Sequence, residues 1–174
     1  TEAMSQRVTS FPPLIAPGAT RLILGSMPGV ASLAAGQYYA HPQNAFWRIM
    51  GSVARFDATL PYEARVAALR TAGVALWDVL AACERAGSLD SAIARSSEEA
   101  NDLAGLLWLH PQIKRVYFNG ATAEVTFRRH CKALAARTDL CFTRLPSTSP
   151  AHASLRFGEK CAVWREALAS AAPL

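Results

Sequence analysis

Four short apolar runs set the limits on this chain. Arg21 to Leu24 (RLIL), Val74 to Trp77 (VALW), Ile113 to Phe118 (IKRVYF) and Leu140 to Leu145 (LCFTRL) each run into a glycine, a proline or a polar residue. Nearly unbroken apolarity over so few residues suits strands buried on both faces. Segments of helical period lie between them. Asn44 is placed to cap AFWRIMGSVAR, and Pro61 opens YEARVAALRTA, which Gly73 ends. Residues 98–109 read as a helix closed by Pro111. ATAEVTFRRHCKALAAR follows Asn119 and Gly120 as a helix of about 15 residues, and a last helix runs from Glu159 to about Ala171. Strands alternating with helices predict an α/β fold, a three-layer α/β/α arrangement around a central four-stranded parallel sheet.

The remaining segments are less regular. Residues 1–20, with three prolines, read as an irregular lead-in, and 21–174 as a single domain. Thr1 to Ala3 are left out of the fold reasoning. Residues 79–95 read as a mixture of short helix and loop. Residues 25–43 read as a long loop rich in Gly, Pro and Ser, and loops of that length in compact domains are usually functional. In a parallel sheet the ligand crevice lies beyond the carboxyl ends of the strands. Four segments should converge there: Gly25 to Asn44, Asp78 onward, Asn119 to Thr122, and Pro146 to Phe157.

Composition narrows the chemistry. The net charge of +5 and pI near 9.3 favour a polyanionic partner, because Lys and Arg displace counterions from phosphates. No run of 18 apolar residues is free of charges or breakers, so no membrane span is expected. The opening residues lack the charged-then-apolar order of a signal peptide. Cys83, Cys131, Cys141 and Cys161 have no C-x-x-C pairing and no zinc-finger histidines, so they read as reduced thiols, and no metal or cofactor is expected. Together these point to a cytoplasmic protein.

Three stretches could carry chemistry. GSMPG (25–29) follows the first strand, and its backbone N–H groups could hold an anion or a base edge; taken alone it also reads as a tight turn. It is neither G-x-G-x-x-G nor a P-loop. QYYAHPQNAFW (37–47) gathers aromatics beside a polar amide, which is what a pocket for a flat heterocycle needs. Trp47 and Phe46 fit a core, whereas Tyr39, His41 and Asn44 do not. LPSTSPAHASLRF (145–157) offers hydroxyls and Arg156 to phosphate, or is simply a polar loop.

Taken together these stretches resemble the uracil-DNA glycosylase superfamily, and its hypoxanthine-DNA branch most of all. Residues 22–47 resemble the opening strand, G-x-x-P-G turn and YYAHPxNxFW segment of that superfamily. Residues 145–152 resemble its second motif in the L-P-S-T-S-P form, and residues 73–93 also resemble the hypoxanthine branch. The resemblance implies a base-excision glycosylase that flips a deaminated base, hypoxanthine above all, out of double-stranded DNA and cleaves its N-glycosidic bond with water. The expected location is the bacterial cytosol or nucleoid, and a monomer without an obligate protein partner is the simplest expectation.

Roles follow by position. Tyr39 matches the aromatic that stacks on the flipped base, and Asn44 the asparagine the hypoxanthine branch uses catalytically. Ser26 stands where other branches place an Asp or Asn directing water. Ser147 stands where others place a His or Asn facing the base. Met27 and His41 join the base-binding set. Gly29, Thr148, Ser149, Pro150, Ala151, His152 and Arg156 are the DNA-binding candidates, with Ser149 to His152 as the wedge. Serine at 26 cannot stabilise a cationic sugar as a carboxylate would, and Asp78 is the nearest carboxylate that could compensate; capping a turn is its other reading. Arg128, Arg129 and Lys132 read as a basic face or as a solvated helix face. No lysine lies in these motifs, so Schiff-base lyase chemistry is not expected. Three alternatives stay open: a G:U/T mismatch-specific uracil or thymine glycosylase, a DNA-binding module that has lost catalysis, and, more distantly, a small-molecule phosphate-binding domain on the same fold.

Overall fold

A computed structural model describes residues 5–169. Thr1 to Ala3, and the end of the expected last helix near Ala171, lie outside the described residues. The elements in chain order are β1 (Gln6–Thr9), β2 (Arg21–Gly25), α1 (Val30–Ala35), α2 (Phe46–Ala54), α3 (Tyr62–Thr71), β3 (Val74–Asp78), β4 (Leu80–Arg85), β5 (Ile93–Ala100), α4 (Leu103–Leu109), β6 (Arg115–Asn119), α5 (Ala121–His130), α6 (Lys132–Ala135), β7 (Cys141–Leu145) and α7 (Phe157–Ala169).

The expected sheet is present, with order β3-β2-β6-β7 and every pairing parallel. Successive side chains on a strand face opposite ways, so the apolar runs feed two separate cores. Ile23, Leu76 and Tyr117 join Phe46, Trp47, Ile49, Met50 and Trp164 on one face. Leu22, Leu24, Val116 and Phe118 join Leu106, Leu107 and Phe127 on the other. Helices α2, α3 and α7 thus cover one side and α4, α5 and α6 the other, which completes the three layers. Phe46 and Trp47 are core residues as expected, at 0% and 4% exposure.

Several expectations need correction. Part of the lead-in is a strand: β1 pairs antiparallel with β4, which pairs antiparallel with β5, in a second sheet of order β1-β4-β5. Residues 79–95 therefore hold β4 and the start of β5 as well as the expected short helix, a single 3-10 turn at Asp90–Ala92, and the helix expected over 98–109 begins only at Leu103, capped by the Asp102 carboxylate. The pattern misleads because β4 (LAACER) is buried without alternating, while β5 (IARSSEEA) has no fully buried residue and little apolar content. The loop over 25–43 contains the short helix α1. The helix expected over 121–137 divides at Cys131 into α5 and α6. The last helix begins two residues earlier, at Phe157.

Trp164 anchors α7 to the central sheet. It is fully buried, meets Phe46 edge to face at 6.1 Å between ring centroids, and donates its indole N–H to the Pro146 carbonyl at 2.9 Å. Trp164→Ala is expected to lower the unfolding free energy by about 4 kcal/mol. Urea denaturation followed by circular dichroism measures it.

Candidate active site

The carboxyl ends of β2, β3 and β6 open into a cavity of about 570 Å³. That volume suits one heterocyclic base with its sugar. All the sequence-predicted site residues line it except Arg156, which lies exposed at the start of α7. Arg128 and Arg129 lie on the last turn of α5, the end remote from Gly120. Arg128 pairs with Glu124 at 3.1 Å, and Arg129 is hydrogen-bonded to Glu98. These two arginines are engaged with carboxylates rather than free for phosphate.

Gly25 ends β2 at the cavity floor. A Cβ there would stand 2.5 Å from Asp78 Oδ1 and 2.9 Å from the Tyr39 hydroxyl, so only glycine lets both groups approach the strand end. Tyr39 sits at φ 53°, in the left-handed region, and packs its ring on Phe46 at 4.3 Å between centroids. Its hydroxyl is buried without a hydrogen bond of good geometry, although the Asn119 side chain lies near enough to ease its ionisation. Burial first, and then the Asp78 charge, push the Tyr39 phenol well above its ordinary value, so it is neutral.

Asp78 is 3% exposed, and its Oδ2 has no hydrogen-bond partner. Burial and the neighbouring Asp90 push its carboxyl up to about 7, against a weaker opposing pull from Arg85. It is thus poised to exist as a neutral acid near neutral pH, which suits proton donation better than fixed anionic stabilisation. It does not act as a turn-capping side chain, because the Val79 and Leu80 N–H groups go instead to the Gly25 and Ser26 carbonyls.

Asn44 lies just before α2. Its Oδ1 accepts from the Phe46 N–H at 3.0 Å, so its side chain still satisfies the first N–H of α2, but the helix starts one residue later than expected and Ala45 rather than Asn44 holds the cap position. With the oxygen committed, the amide group facing the cavity is a donor. His41 is exposed at the rim, where its Nδ1 accepts from the Gln43 N–H at 3.1 Å. Met27 packs inward on Leu80 and Cys83.

The loop after β7 is built as a latch. The Asn119 amide donates to Thr148 Oγ1 at 3.0 Å, and the Thr148 N–H returns a bond to Asn119 Oδ1 at 2.9 Å. The Thr148 carbonyl accepts from the Ala45 N–H at 3.0 Å. Thr148 is 1% exposed, which corrects its expected role as a phosphate contact: it ties β6, this loop and α2 together. Ser147 abuts Gly120, where φ is 96° and a Cβ would come 3.1 Å from the Ser147 Cβ. Its hydroxyl accepts from the Ser149 N–H at 3.2 Å. Lys160, buried on α7, donates to the His152 carbonyl at 2.5 Å and so fixes the tip of the loop.

Asn119, Lys160 and Asp90 were not identified from sequence. The first two act through partners far along the chain. Asp90 lay inside GSLDSAI, a stretch whose resemblance came with no role attached. In the fold, Asp90 Oδ1 accepts from the Ser26 hydroxyl at 2.7 Å. Ser26 therefore meets a carboxylate supplied by another segment.

Residues 12–172 match the uracil DNA glycosylase superfamily, and the chain belongs to it. The protein is a DNA glycosylase, and its partner is DNA. Two curated relatives are named hypoxanthine DNA glycosylase. The one from Methanosarcina barkeri is 42% identical over 111 residues, which is 63% of this chain and 69% of that protein. The one from Methanosarcina acetivorans is 38% identical over 114 residues, 65% of this chain and 71% of that protein. A solution NMR structure of a candidate uracil DNA glycosylase from Methanosarcina acetivorans superposes with a TM-score of 0.76 at 33% identity, covering 92% of this chain and 98% of that one. The central sheet and its helices are thus those of a uracil-DNA glycosylase-like fold. Among the described residues, no helix is long and apolar enough to cross a membrane.

The burial of Asp78 has a thermodynamic signature. Its folded pKa, about 7, lies above the ordinary 3.8, so between those values the native state holds a proton that the unfolded chain has lost. Stability from this group is present at low pH and is lost as pH rises to about 7. Asp78→Asn removes that dependence. The variant is expected to match the wild type near pH 4 and to exceed it in melting temperature by several degrees at pH 8, as thermal melts across the range will read.

Proposed function

We propose that this glycosylase removes hypoxanthine from deoxyinosine in duplex DNA by flipping the nucleotide into the cavity and hydrolysing its glycosidic bond with water. One observation carries the reading: a buried, protonatable carboxyl and an amide donor share a base-sized cavity beside an aromatic ring. As the C1′–N bond lengthens, negative charge moves onto the departing base. The Asn44 amide donates a hydrogen bond to it, and Asp78 donates a proton to a ring nitrogen. A purine carries N3 and N7, ring nitrogens whose lone pairs are free while the sugar bond is intact, and uracil has none, so this site favours hypoxanthine over uracil. Tyr39 stacks on the base, and Met27, His41 and Ser147 bound it.

Flipping costs a few kcal/mol, less for a weak pair such as one containing inosine. Ser149 to His152 form the wedge that offsets this cost, held by Lys160 and the Asn119–Thr148 latch. Gly29 and the outer loop contact the backbone. Among the described residues no lysine lines the cavity, so water is the nucleophile and the enzyme is monofunctional. Borohydride is expected to trap no covalent adduct. The protein acts as a monomer in the cytosol or nucleoid, without a metal or cofactor.

Alkali-revealed cleavage of labelled duplexes tests the substrate. Strand scission at inosine, with little at uracil, is the expected pattern. Uracil release alone would move the protein to the mismatch-specific branch, and silence on both would leave a DNA-binding module.

Asn44 can be dissected into its two halves. Asn44→Ala removes both, lowering stability by about 1 kcal/mol through the lost cap and single-turnover excision by roughly 100-fold. Asn44→Asp keeps the acceptor for Phe46 N–H but deletes the donor. It is expected to retain its melting temperature and still lose excision.

A further inference from the structure

Asn44, Ser26 and Asp78 all act as donors, and none of them takes the proton that attacking water must release. Asn44 has committed its oxygen to Phe46. Ser26 is a hydroxyl donating to Asp90, and Asp78 carries the proton meant for the base. Asp90 is the carboxylate left with acceptor capacity in this cavity. It comes from the turn between β4 and β5, 64 residues beyond Ser26, yet its Oδ1 stands 2.7 Å from the Ser26 hydroxyl. It is exposed and lines the cavity, and the neighbouring Asp78 Oδ2 is buried and unpartnered in the same cavity.

The turn that carries Asp90 is fastened in place. The Val30 N–H donates to the Ser88 hydroxyl at 2.9 Å. Buried Arg85 reaches two carbonyls at once, Pro28 at 2.6 Å and Gly87 at 2.8 Å. The hairpin is thereby clamped to the GSMPG turn, and Ser26 and Asp90 are presented together. Asp90 also lines a second cleft with Arg95 and Arg129, and because Asp90 is itself exposed a proton it accepts can pass directly to solvent.

We propose that Asp90 is a catalytic residue, the carboxylate that orients the attacking water and takes its proton, with Ser26 as its positioning residue. The carboxylate missing from the end of β2 is replaced in space by one from the hairpin. The proposal rests on the reading of the chain as a water-using hypoxanthine glycosylase. In the step, the C1′–N bond breaks and its electron pair leaves with the base, which receives the proton of Asp78. The water oxygen bonds to C1′, and its proton passes to Asp90. Asp90 then releases that proton to solvent and Asp78 regains one, so both groups return to their starting states.

The test is single-turnover excision from an inosine duplex, alongside duplex binding and melting temperature, for wild type, Asp90→Asn, Asp90→Ala and Ser26→Ala. Asp90→Asn is expected to slow excision by about 100-fold or more while binding stays within threefold. Ser26→Ala leaves the carboxylate but frees it, and is expected to slow excision by roughly tenfold. Sodium azide or formate, small anions that fit where the carboxylate stood, should restore excision by Asp90→Ala in a saturable way. Excision by Asp90→Asn within fivefold of wild type would overturn the proposal. So would a loss matched by an equal loss of duplex binding, or a failure of both anions to rescue the alanine variant. Wild-type silence on inosine would instead sink the substrate reading itself.

Discussion

The missing side chain at Gly25 is the constraint on which the site depends. Three strand ends must converge closely enough for groups from β2, β3 and the following loops to share one base-sized space. A single methyl at position 25 would overlap the Asp78 carboxyl and crowd the Tyr39 hydroxyl. Because it is absent, Asp78 can stay buried beside the strand end, and Tyr39 can turn back at positive φ to lay its ring on Phe46. The strain at Tyr39 and the buried acid are both costs, of order 1–3 kcal/mol for the backbone alone. The two cores of the sheet absorb them.

The central sheet was legible because its strands are buried on both faces, which leaves apolar runs that nothing else explains. The antiparallel sheet was not. QRVT in β1 is too short to show a period, and β5 contains SSEE, which reads as a helix start. The β4–β5 pairing also carries two register shifts around Ala82, so no strict alternation survives. For the site the division is similar. Tyr39, Asn44 and Ser26 sit in contiguous stretches whose chemistry is visible locally. Asp90, Asn119 and Lys160 gain meaning only from contacts the chain makes after folding. Thr148 was visible but misread, since sequence shows a hydroxyl and not the amide that claims it.

Charge is arranged in two shells. The protein as a whole is basic, which suits approach to phosphate. Yet several of its arginines are engaged with Glu98 and Glu124, so the attraction comes from the sum of charge rather than from one strip. The cavity floor is the opposite, with Asp78 and Asp90 close enough to influence one another. With Asp78 protonated, it is the Asp90 carboxylate that repels phosphate and welcomes a sugar that becomes cationic. It thereby favours a single extruded nucleotide with its backbone left outside.

The strand β1 has a consequence for how the chain is made. Its partner β4 lies more than seventy residues further along, and the isolated bridge between Leu14 and Leu76 spans a similar distance. At ribosomal speeds of roughly 5–20 residues per second, β1 waits about 4–15 s for its neighbour to be synthesised. During that interval it is an unpaired edge. Its polar sequence, with Gln6, Arg7 and Thr9 exposed, keeps the nascent segment from pairing with other chains until the hairpin that bears Asp90 arrives to receive it.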